Sequence, residues 1–161
     1  MTSPTGSSRS RIGLAWVAMV GVDLLSHAGL FAAVFDQARE PGLLADEVLF
    51  RRVPFAYATL MAGALALWWI LEWTGSTGPS ALVIGATSGL TVGLMGLGAL
   101  WTAIDITGLL VAAGIVVLVA QGVVAAKVLT SSLETRPLSS RVIGFLVGCF
   151  VIGQVAANLV G

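Results

Sequence analysis

The chain has 161 residues, 57% of them hydrophobic and only 10% charged, with a formal net charge of zero and a mean hydropathy of +0.99. Soluble domains carry about 25% charged residues, so this composition excludes an ordinary water-soluble fold and requires a lipid bilayer as the apolar solvent. There is no basic run to suggest nucleic acid, and a single cysteine, Cys149, excludes an intrachain disulfide.

Residues 1–10 are rich in Ser, Thr, Gly and Pro and are expected to form a disordered tail, leaving 11–161 as one transmembrane domain. Arg9 and Arg11 precede the first apolar run, residues 12–35. That run exceeds the 7–15 residues of a signal-peptide core, so cleavage is not expected. Near its middle stand Asp23 and His27, the sole histidine. Four residues apart, they share one helix face. An Asp at mid-depth costs roughly 2.5–3.5 kcal/mol on insertion scales, so something inside the protein has to satisfy it.

Residues 36–54 hold Arg39, Glu40, Asp46, Glu47, Arg51 and Arg52. The part from Pro41 onward reads as weakly helical, with Leu43, Leu44, Leu49, Phe50 and Val53 suited to the bilayer surface and Glu47 paired with Arg51 at i,i+4. Pro54 is expected to open the second span, residues 55–73, which closes at the headgroups with Trp68, Trp69, Glu72 and Trp73. Residues 74–79 read as a turn. The apolar stretch 81–129 is too long for one crossing of about 20 residues. Trp101 and Asp105 break it into spans 81–103 and 107–129. A polar stretch with Pro137 follows, and then a fifth span, residues 142–160.

The expected fold is therefore an all-α membrane protein, a bundle of about five transmembrane helices with its termini on opposite sides. Arg9, Arg11, Lys127, Arg136 and Arg141 would gather on the N-terminal side, against Arg39, Arg51 and Arg52 on the other. The positive-inside rule then favours a cytoplasmic N-terminus. Seven arginines to one lysine, with abundant Ala, Gly and Val, suit a GC-rich bacterial genome and a plasma-membrane location.

Helix packing is foreshadowed by glycine. Gly85, Gly89 and Gly93 recur every four residues with Gly96 nearby, and Gly144 and Gly148 repeat the step in the fifth span. Such spacing lets another backbone approach closely, within one bundle or between two copies of the chain.

Asp23, Ser26 and His27 form the leading polar cluster, with Gln121, Gln154 and Asn158 as intramembrane candidates to partner it. Two readings stand side by side. The cluster is a structural clasp, or it relays protons or binds a cation or polar ligand. Glu72 and Asp105, at span ends, are expected to face water. One His and one Cys cannot build a zinc or bis-histidine haem site within the chain, so no metal and no cofactor is expected. No nucleophile accompanies Asp23 and His27, and the glycine-rich runs lie within spans rather than after a strand, so neither a catalytic triad nor a phosphate loop is read.

The segment Asp23-Leu-Leu-Ser-His27-Ala-Gly-Leu30, followed by an amphipathic loop, resembles the first span of uncharacterised bacterial small integral membrane proteins that carry an Asp-x-x-x-His-Gly pattern. Here Ala28 stands at the Gly step. The resemblance covers the first third of the chain and implies no activity. The tryptophan-rich sensory (translocator) family matches in span number and length, but its Trp- and Pro-rich motifs between spans are not found here.

The expectation that follows is a non-enzymatic accessory subunit or scaffold of a membrane complex, with the lipid bilayer and a homo-oligomer or larger complex as its partners. The alternative is a small transporter or proton-linked channel built on Asp23 and His27.

Overall fold

The computed structural model of the protein describes residues 6–31, 34, 46–103, 106–132 and 135–160. All the regular structure among them is helical. The elements are α1 (Gly6–Leu25), continued by a π-helical turn (Ser26–Leu30), then α2 (Asp46–Thr74), α3 (Gly78–Ala103), α4 (Gly108–Leu129) and α5 (Thr135–Val160). Three segments are long and apolar enough to cross a membrane: Pro54–Thr74, Gly78–Ala103 and Gly108–Leu129. In α5 the continuous apolar part is shorter, Pro137–Gly153.

Helix α1 is the hub and packs on α2, α4 and α5, while α3 packs chiefly on α4. The inward face of α1 is Ile12, Ala15, Met19, Val22 and Ser26, alternating steps of three and four residues that keep one stripe turned to its neighbours. Around it the core closes with Ala64, Leu67 and Leu71 of α2, Ala125, Ala126 and Val128 of α4, and Leu138 and Val142 of α5. The outside is apolar as well. Val83, Met95 and Leu100 of α3 and Ile143, Val147 and Ile152 of α5 are exposed. A soluble monomer rarely presents so continuous an apolar shell.

The chain runs up and down. Ser8 and Arg11 of α1, the end of α2, the α2–α3 turn and the end of α4 all border one recess of about 300 Å³. At the same end Lys127 and Arg141 flank a smaller crevice beside Ala18. The α2–α3 turn is a Schellman closure. Gly75 adopts φ +62°, its N–H donates to Glu72 O, and the Ser76 N–H donates to Leu71 O at 3.2 Å. Helix α4 opens on Thr107, whose Oγ1 accepts the Leu110 N–H at 3.3 Å.

Several boundaries differ from the sequence expectation. Residues 6–10, expected in a disordered tail, are the first turns of α1. Ser8 and Arg11 face the α2–α3 turn there, and that packing overrides a weak local preference. Pro54 opens the apolar span Pro54–Thr74, but it does not start the helix. It lies inside α2, which already runs from Asp46. A proline removes one backbone bond and strains the preceding turn, a defect that membrane helices tolerate with help from their neighbours. Helix α5 starts seven residues before the expected span, at Thr135, with Pro137 in its first turn, where a missing N–H costs nothing.

The glycines divide. A Cβ on Gly85 would press on Gly122 O, and one on Gly89 would press on Leu118 O, so α3 and α4 meet backbone to backbone. Gly93 sits against Ile115. Gly144 and Gly148, expected to pack in the same way, have nothing within 4 Å of the Cβ position. Helix α5 instead turns Leu138, Val142, Cys149 and Gly153 inward, and its glycine pair points out of the bundle. The side chains of the expected Glu47–Arg51 pair, Asp105, and most of the expected amphipathic segment lie outside the described residues.

Candidate functional site

Helix α1 carries Asp23 and His27 one turn apart, as the spacing predicts. His27 Nδ1 lies 3.4 Å from Asp23 Oδ1 and 3.1 Å from the Asp23 backbone oxygen. The contact is a local one, made within a single helix. The third member of the expected cluster takes a different place. Ser26 is buried and donates its hydroxyl proton to Val22 O at 2.7 Å, so it does not join the pair.

Ordinary helical phase is the cause: Ser26 stands four residues beyond Val22 on the inward stripe of α1, and a π-helical turn begins only there. The Phe31 N–H bonds to Ser26 O, five residues back, at 2.9 Å. Such wide turns recur at functional sites. His27, one residue on from Ser26, falls at the rim of the bundle, one turn from Asp23. The His27 side chain is 48% exposed and Asp23 26%, so the pair lies at the margin of the bundle rather than sealed within it.

The link to the interior is Gln121 of α4. Its side chain is only 2% exposed, and its Nε2 donates at 3.4 Å both to Asp23 Oδ1 and to Met19 O. The bonds are long, but they join helices 98 residues apart in sequence and give the carboxylate a donor where water is scarce. Of the three amide side chains singled out from the sequence, Gln121 is thus brought to Asp23. The side chains of Gln154 and Asn158 lie outside the described residues.

Two features escaped sequence reasoning. Trp16 Nε1 donates to Tyr57 O at 2.9 Å, tying α1 to α2 one turn before Met19. The Tyr57 hydroxyl in turn lies within electrostatic reach of Asp23. The second feature is a cleft between α2 and α3, floored by Leu118 and Gln121 of α4, with Thr59, Thr87, Ser88 and Thr91 on its walls. The spacing of Thr87 and Thr91, two hydroxyls four residues apart inside a long span, was a signal that could have found it.

Among the described residues no three His, Cys, Asp or Glu side chains lie together as a metal site would require. Asp23, His27 and Gln121 can therefore hold a polar group or pass a proton between a carboxylate and an imidazole. Comparison with known protein families, with curated proteins and with solved structures returned no match.

Proposed function

We propose that this chain is a non-enzymatic, multi-pass protein of a bacterial plasma membrane that serves as an accessory subunit or scaffold of a membrane complex. One observation carries the reading: the outward face of α5. Gly144 and Gly148 stand there with no neighbour within 4 Å, beside the exposed Val147, Val151 and Ile152. Small residues one turn apart allow another backbone to come close, as Gly85 and Gly89 do against α4 inside this chain. The occupant is a helix of a second copy or of a different subunit. Gly85, Gly89 and Gly93 of α3 are already used internally, which removes them as a competing interface. The N-terminal end, with Arg9, Arg11, Lys127 and Arg141, faces the cytoplasm on the positive-inside rule.

The test is mass in native membranes. Extracted in a mild detergent, the chain runs on a native gel as part of a stoichiometric complex, and Gly144→Ile with Gly148→Ile returns it to the mass of a single chain without changing its helical melting curve. A parent that already runs as a single chain, or a double variant that keeps the complex, rejects the reading.

A second reading has its own observation. The half-exposed His27, 3.4 Å from an Asp23 carboxylate that Gln121 also holds, is suited to proton-linked transport. In proteoliposomes under a pH step, a proton flux lost in Asp23→Asn but retained in Gly144→Ile supports it. A parent without flux removes it.

A further inference from the structure

The cleft between α2 and α3 has a volume of about 500 Å³, within the range of roughly 300–1,000 Å³ usual for small-molecule sites. Its walls are mostly apolar, and no ionisable side chain borders it. Its polar groups are unbalanced in one direction. Thr59 Oγ1 donates its proton to Ala56 O at 2.6 Å, and Thr87 Oγ1 donates to Val83 O at 2.9 Å. Both hydroxyls therefore retain only lone pairs. Gln121 uses its Nε2 on Met19 O and Asp23 Oδ1, and its Oε1 accepts no donor among the described residues. Three acceptors thus border one apolar space, and where lipid stands in place of water an acceptor without a donor is costly.

Depth narrows the ligand further. Gln121 is eight residues from the end of α4 at Leu129, about 12 Å at 1.5 Å per residue, and Thr87 is nine residues into α3, about 14 Å. In a hydrocarbon core of about 30 Å both lie near the middle. A charged phospholipid headgroup cannot settle there. We infer that the α2–α3 cleft binds a neutral lipid alcohol, whose hydroxyl donates to the acceptors around Gln121 and whose hydrocarbon chain lies between Leu60, Leu67 and Val92 and leaves through the open side of the cleft.

Farnesol carrying a photoreactive diazirine tests this with the full chain in nanodiscs. After illumination, mass spectrometry finds adducts concentrated on residues 59–70 of α2 and 87–92 of α3. Unlabelled farnesol displaces the label at least about fivefold better than farnesyl methyl ether, the ratio that a single hydrogen bond of about 1 kcal/mol provides. Gln121→Leu brings the two competitors to within a factor of two. Gly63→Leu is the blocking variant. A Cβ at this exposed cleft residue meets only Met19 Cε, at 3.8 Å, so the new side chain grows into the empty space and abolishes labelling without disturbing the fold. Should Gln121→Leu fail to assemble, Gly63→Leu decides alone. Adducts scattered over the lipid-facing positions of every helix, equal competition by the methyl ether in the parent, or undiminished labelling of Gly63→Leu would each overturn the inference.

Discussion

Substituting alanine at Gly85 tests the backbone-to-backbone seam between α3 and α4. The new Cβ would press on Gly122 O and lie 2.8 Å from Ala126 Cβ, where ordinary contact begins near 3.4 Å, so the helices have to part by at least about 0.6 Å, and by more at Gly122 O. A gap of 0.5–1 Å forfeits a quarter to a half of each dispersion contact across it. Overpacking of this kind costs about 1–3 kcal/mol, against which the better helix propensity of alanine returns up to about 1 kcal/mol. Against the full propensity return the net loss is up to about 2 kcal/mol, and against an alanine that meets no obstacle it is about 1–3 kcal/mol. Gly122→Ala meets the same obstacle from the other side, pressing on Gly85 O. Gly96→Ala is the internal control. It lies on the same helix with nothing within 4 Å, so it should be neutral or gain up to about 1 kcal/mol. Unfolding is followed by circular dichroism as dodecyl sulfate is titrated into mild mixed micelles. If Gly85→Ala and Gly122→Ala unfold within about 0.5 kcal/mol of Gly96→Ala, a margin well below the expected overpacking cost, the close seam is wrong.

Three further outcomes are expected from the same assay. A double-mutant cycle of Asp23→Ala with Gln121→Leu should return a coupling near 0.6 kcal/mol and not above about 1.7 kcal/mol, the range of interhelical hydrogen bonds in membranes; zero coupling would mean that the 3.4 Å contact contributes nothing. Trp16→Phe removes the donor to Tyr57 O and should cost about 0.5–1.5 kcal/mol, a loss not expected of the exposed Trp101→Phe. Thr107→Ala removes the cap of α4 and should cost about 1 kcal/mol, while Thr107→Asn should restore most of it.

Much of the fold was legible because it follows from solvent chemistry. Long apolar runs broken by Trp101, Gly75 and Pro79 give helices and their turns with little ambiguity. The four-residue step of Gly85, Gly89 and Gly93 was legible as a packing face, but its partner was not, since Gly122 and Leu118 meet it only through tertiary structure. Gly144 and Gly148 show the limit most plainly. The same step marks the same kind of face, yet spacing says nothing about whether that face turns inward. The candidate site followed a similar course. Asp23 and His27 share a helix face, and helical periodicity alone brings them together. The choice of Gln121 as partner depends on how α4 crosses α1, and which side of α1 turns inward, with Ser26 on it, depends on the helices that pack there. Pro54 misled because a proline marks a helix start by frequency, while packing decides each case.

The distance along the chain between Asp23 and Gln121 has a consequence for biogenesis. Ribosomes add about 5–20 residues per second, so the 98 residues separating the two take about 5–20 s to emerge. Throughout that interval the first helix exists with its acid, while the amide that will hold it has not yet been made. An imidazole one turn away is available from the moment the helix forms. The contact of Asp23 with His27, made within one helix, thus precedes its contact with Gln121 in the order of synthesis.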